Sequence, residues 1–171
     1  MKLFTNKRGL AITYGAFFCF FGFFSIPIGG VFLTIGNKDN FAKLGQIVSN
    51  KPINNLDGAI GQFRLFFTFI LLMILLTGFM YMLTAKSKEL AFRFFAIAFG
   101  TYTVVAFGYK VIITAAMAAA IKKITDPNLM SAAPAIVKNF EGKFVLFGVI
   151  GAGLSLFFLL AGLLTKSNKE D

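Results

Sequence analysis

The sequence predicts an all-α integral membrane protein, a four-helix bundle with short interfacial helices in its two longer loops. Three observations carry this. Residues 9–37, 65–85 and 144–165 hold no charged residue, and 94–121 holds only Lys110; each stretch is long enough to cross roughly 30 Å of hydrocarbon with about 20 apolar residues. Of 171 residues, 57% are hydrophobic and 14% charged, where soluble domains average about 45–50% and about 25%. The mean hydropathy is +0.79. The net charge is +10, but the cations sit at the ends of the apolar stretches. Membrane topology and anionic head groups favour cations there, whereas a nucleic-acid surface needs them along one face.

A basic leader, 1–8, precedes span 1, expected at 10–33 and uncleaved, because its apolar run is too long for a signal peptide and SIPIGG offers no cleavage site. Pro27 should kink or end this helix. Ala11, Gly15, Cys19 and Gly22 recur at three- or four-residue spacing, a stripe against which another helix can pack closely. In the first long connection, Phe41, Leu44 and Val48 have helical spacing after the N-cap candidate Asn40, which predicts a short surface helix ended by Ser49-Asn50-Lys51-Pro52. Asn54 to Gly58 reads as a turn and cap before span 2, expected at 59–84.

The connection 86–89 is very short. Ser87 suits an N-cap and Glu89 the first turn of span 3, expected at 90–118; spans 2 and 3 should then form a tight antiparallel hairpin. In the second long connection, Asp126-Pro127 is a helix start, Ser131 offers another, and AIVKNF reads as a short interfacial helix. Span 4 is expected at 144–165. Gly148, Gly151, Ala152, Ser155 and Gly162 give it a small-residue face, suited to span 1 or to a partner subunit. Internal repeats are not evident, so the chain reads as a single membrane domain, 1–171.

The residues that invite a functional reading are Arg64 and Lys110, with Gln62 and Tyr109 beside them. Cations inside apolar segments are costly unless they reach water or a partner. Two readings fit. Arg64 snorkels to the interface and span 3 is simply long, so that Lys110 reaches the surface while AAMAAAI continues outside the bilayer. Alternatively, the two cations, with Thr101-Tyr102-Thr103, line an anion- or lipid-binding pocket between spans 2 and 3.

Other chemistry finds little support. With no histidine, the commonest general base, metal ligand and haem ligand is missing. A lone Cys19 excludes an intrachain disulfide. The seven acids lie in loops, ends or tails, so neither a catalytic carboxylate pair nor an intramembrane proton carrier is in view. No cofactor and no metal is expected, and catalysis is the less favoured reading.

IGQFRLFF, residues 60–67, opens the second span with a basic residue after a Gly-containing approach and leads into a tight hairpin and third span. In this the chain resembles small uncharacterised four-span bacterial membrane proteins, over roughly residues 9–121. The resemblance implies a four-helix membrane fold and no activity. Abundant Phe, Ile, Lys and Asn also point to an AT-rich bacterial genome.

Four spans place both termini on one side. Eight cations lie with the termini and the 86–93 loop and eight with the longer connections; the first group is denser beside the membrane, which predicts cytoplasmic termini in a bacterial inner membrane. The expected role is an accessory subunit of a membrane complex or an orphan four-span protein. Its partners are then the lipid bilayer and, through the small-residue faces of spans 1 and 4, other subunits or a second copy. The alternative is a lipid- or anion-handling carrier or small membrane enzyme that uses Arg64 and Lys110.

Overall fold

The structure is a computed structural model that describes residues 7–34, 38–49 and 55–167. The leader before Lys7, the break after Ser49 and the tail beyond Ser167 lie outside the described residues. Within them are five helices and no strand: α1 (Lys7–Thr34), α2 (Lys38–Ser49), α3 (Leu56–Thr84), α4 (Lys88–Ile121) and α5 (Pro127–Ser167). All but α2 are long and apolar enough to cross a membrane.

Local signals set the helix starts. Ser87 Oγ accepts from the Leu90 amide at 3.2 Å, capping α4, and Glu89 pairs with Arg93 one turn on at 2.8 Å. Asp126 Oδ1 accepts from the amides of Asn128 (2.9 Å) and Leu129 (3.4 Å), with Pro127 at the first position of α5. Asn55, at φ 60°, caps α3 by accepting from Gly58.

Pro27, expected to kink or end α1, lies inside it without ending it. One expectation about helix ends needs correction. The short helix expected over AIVKNF is part of α5, which runs 41 residues through Pro134 into the span. Burial explains the continuity: Ala133, Ile136, Val137, Phe140 and Phe144 lie on one helical face and join Leu44, Ile47 and Met117 in a core that binds α2 to the α4–α5 pair.

The expected hairpin of spans 2 and 3 is also corrected. The turn between them is short, but α3 packs along α1 and α4 along α5, and α3 meets α4 only weakly. Side-chain size decides this. Gly148, Gly151 and Ser155 let α5 approach α4: a Cβ on Gly151 would come within 2.8 Å of Thr103 Oγ1, and Ser155 Oγ donates to the Ala96 carbonyl at 2.7 Å. The small face expected to meet span 1 or a partner is thus filled by α4.

On the other side, Phe18 of α1 enters between α3 and α4. It is 3% exposed, and its ring lies 5.1 Å from Phe95 and 5.9 Å from Phe99. A Cβ on Gly78 of α3 would lie 3.1 Å from it. Gly22, one turn further along α1, leaves room for Tyr102, whose hydroxyl donates to the Phe18 carbonyl at 3.0 Å.

A methyl group at Gly22 would run into the Tyr102 hydroxyl, whereas nothing lies within 4 Å of one at Gly153. Gly22→Ala is therefore expected to destabilise the protein by about 1–3 kcal/mol through overpacking. Gly153→Ala is expected to be neutral or to stabilise by up to about 1 kcal/mol. Thermal unfolding of the two variants in one detergent, followed by circular dichroism, checks the contrast.

Candidate functional site: a cation-rimmed cleft at the turn end

The helix pairings fix which residues share a level. Tyr109 packs on Phe144 with ring centroids 6.3 Å apart, so Lys110 stands level with Lys143. Gly29 faces both Phe67 of α3 and Phe147 of α5, so Arg64, one turn above Phe67, stands at that level too. The helical rise of about 1.5 Å per residue puts Arg93 roughly 26 Å from Lys110 and Lys86 roughly 33 Å from Arg64. Those spans match a hydrocarbon core of about 30 Å. Arg64, Lys110 and Lys143 therefore form one interfacial belt, and Lys7, Arg8, Lys86 and Arg93 the opposite one. The reading in which Lys110 snorkels and α4 continues beyond the bilayer fits this frame.

The structure does not bring the four sequence-predicted residues into one pocket. Gln62 and Arg64 are exposed on α3, while Tyr109 and Lys110 are half-buried on α4. Tyr109 turns inward, between Phe144 and Phe23 of α1. α1 stands between the two helices at this level, with Phe32 stacked on Phe67 of α3 at 4.4 Å. The hydroxyls expected to line a pocket are already committed: Thr101 donates to the Ile97 carbonyl at 2.9 Å, Thr103 to Phe99 at 3.0 Å and Tyr102 to Phe18.

The large cavity is at the other end, beside the 85–87 turn. It holds about 890 Å³ and opens between the start of α1, the end of α3 and the start of α4. Lys7, Arg8 and Lys86 line it together with Ala11, Gly15, Cys19, Tyr81, Leu83 and Phe94. It lies where α3 and α4 separate below their turn while α1 packs on α3. Tyr81 packs at a tilt on Phe94 with centroids 4.2 Å apart, and a Cβ on Gly15 would sit only 3.1 Å from the Tyr81 ring. Along α1, Lys7 and Cys19 are roughly 18 Å apart, so the cleft descends from the head-group level to about the midplane.

Among the described residues, the lining contains three cations and no carboxylate. The nearby acid, Glu89, is held by Arg93. The Thr84 hydroxyl, also on the wall, donates to the Met80 carbonyl at 2.8 Å. The N-termini of α1 and α4 lie at this end together with the C-termini of α3 and α5, so the helix dipoles oppose one another and the positive charge of the rim is that of its side chains. An anion at the rim and hydrocarbon below it are what these walls can hold.

Reasoning from sequence placed the cations of this rim in topology and Gly15 and Cys19 in packing, and so missed the site. The signal available was that Lys7, Arg8 and the 86–88 cations fall at the same membrane face, with Gly15 and Cys19 about two and three turns below. Comparison of the chain with known protein families, curated proteins and solved structures found no match.

In a Cys19→Ala background, single cysteines at Arg64, Lys110 and Lys143 are expected to react with a membrane-impermeant maleimide in proteoliposomes. A cysteine at the exposed midplane position Val104 is expected to stay unlabelled. Labelling yields read by gel shift check this, and a protected position 110 would place that lysine inside the hydrocarbon.

Proposed function

We propose that this is a non-catalytic four-span protein of a bacterial inner membrane that handles an anionic, lipid-like ligand on its cytoplasmic side. The observation that carries the reading is the cleft: Lys7, Arg8 and Lys86 at the rim of an apolar slot that reaches toward the midplane. In hydrocarbon an anion has few places to sit, and a cluster of ammonium and guanidinium groups at the head-group level is one of them. The orientation rests on the density of cations around the termini and the 86–93 loop. This moves the anion-handling role from Arg64 and Lys110 to the opposite face of the membrane.

A second reading, an accessory subunit of a larger membrane complex, is favoured by a different observation. Thr101, Gly108, Ala115 and Ala119 lie on one outward face of α4; all four are exposed, and nothing is within 4 Å of a Cβ built on Gly108. Thr101 and Gly108 lie within the span and Ala115 and Ala119 continue the stripe beyond the Lys110 level; small residues on such a stripe let a neighbouring helix approach. Gly22 of α1 and Gly148 and Gly151 of α5 are filled inside the chain by Tyr102 and α4, and the α4 stripe is the face this reading assigns to a partner helix.

Replacement of Lys7, Arg8 and Lys86 together by glutamine is expected to weaken binding of dodecyl phosphate at least tenfold in phosphatidylcholine nanodiscs, read by competition with a fluorescent alkyl phosphate. The wild-type affinity should fall as salt rises, because rim charges are screened. Equal binding by the wild-type protein and the triple variant would remove the cleft as the anion site. For the second reading, Gly108→Leu should release any co-purifying subunit while leaving alkyl phosphate binding intact, read by native gel after mild solubilisation.

A further inference from the structure

The proposed anionic, lipid-like ligand leaves open how many chains it carries and where they run. Resting on that reading, we infer that the ligand is a single-chain anionic amphiphile whose tail passes the Phe94 ring into a second groove. This groove holds about 250 Å³ and lies between α1 and α4. Phe23, Ile97 and Thr101 line it, and it shares Cys19 and Phe94 with the cation-rimmed cleft. One half-buried ring therefore separates two cavities that follow each other along the same pair of parallel helices. From Lys7 to Phe23 the track covers roughly 24 Å, more than the depth of one leaflet, which is about 15 Å.

The chemistry of the walls divides the track into a head and a tail. Among the described residues that line the two cavities, charged groups occur only at the cleft's rim, at Lys7, Arg8 and Lys86. In the second groove the two hydroxyl side chains are spent on backbone carbonyls: Thr101 on Ile97 and Tyr102 on Phe18. With no donor left over, the groove suits hydrocarbon and disfavours a second polar group. Its volume and the single ring at its entrance suit one chain. Phe94 is then a specificity-determining residue: it sets how long a tail the cleft accepts. Its ring leans on Tyr81 at 4.2 Å and on Phe18 at 6.0 Å, and those contacts must adjust when a tail goes through.

The test uses the full chain in phosphatidylcholine nanodiscs and compares probes at equal mole fraction in the disc, which cancels simple partitioning. Cys19, the one cysteine of the chain, borders both cavities and reports occupancy through its rate of alkylation by N-ethylmaleimide. Hexadecyl phosphate is expected to slow that rate at least tenfold and to bind at least fivefold more tightly than octyl phosphate. Hexadecanol and dihexadecyl phosphatidic acid should protect weakly. Phe94→Trp should remove the preference for the long chain while octyl phosphate still binds. Phe94→Ala should keep or widen the preference, and should the tryptophan variant fail to fold, the wild-type length series decides.

Equal affinity for octyl and hexadecyl phosphate, with the Lys7/Arg8/Lys86 dependence intact, would overturn the tail path and leave the anion reading standing. Equal protection by dihexadecyl phosphatidic acid would overturn the single chain. Failure of every alkyl phosphate to bind, or protection by hexadecanol as strong as by its phosphate, would overturn the anion reading itself.

Discussion

Phe18 sits where three helices meet, and the arrangement of the bundle follows from its placement. Its ring touches Phe94, Phe95, Phe99 and Tyr102 of α4 at centroid distances of 5.1–6.2 Å. Its carbonyl accepts the Tyr102 hydroxyl, and Gly78 of α3 leaves room for it on the other side. In a bilayer the lipid tails are as apolar as a leucine, so burial of hydrocarbon gives little net drive toward association. Shape and dispersion decide which helices meet. Aromatic pairs of this kind contribute about 0.5–1.5 kcal/mol each beyond their area, and several converge on one side chain.

The same wedge explains the open cleft. With Phe18 between them, α3 and α4 cannot close on each other below their turn, and α4 turns to the small residues of α5. α3 is left resting on α1 through Gly15, Tyr81 and Phe67, with much of its remaining surface exposed. A cavity at the end of such an arrangement follows from the packing: rings meet glycines on one side and space remains on the other. Three cations gather at its mouth because the leader and the 85–87 turn both emerge at that face of the membrane.

The bundle is also divided along its length. Toward α2, the long ends of α4 and α5 join α2 around Leu44, Ile47, Met117, Ile124, Ile136 and Phe140, all nearly inaccessible. This is a water-facing core of the ordinary kind, where burial does drive association. Toward the turn, the contacts are aromatic and sparser, and many large side chains face outward, as hydrocarbon allows. Arg64, Lys110 and Lys143 mark the boundary between the two regimes. Solvent on each side of that boundary gives the same residue types different work.

Much of this could be read from the residues in order. Apolar length marked the four crossings, and Ser87, Asp126-Pro127 and the spacing of Phe41 and Leu44 marked helix starts and the surface helix, because these signals act within a few residues of chain. The failures were all lateral. AIVKNF is not a separate short helix but part of α5, since Ile136, Val137 and Phe140 are buried against α2 and α4. Small residues at Gly148 and Gly151 named a packing face without naming its occupant. Arg64 and Lys110 looked like companions because each is a cation in an apolar stretch, yet α1 stands between them. What the sequence alone determined is the solvent: how often the chain crosses hydrocarbon, and where its charges stop it. Which helix lies beside which, and so where cations and a cavity coincide, was decided only by side-chain shapes meeting in three dimensions, because lipid leaves hydrophobicity unable to choose between neighbours.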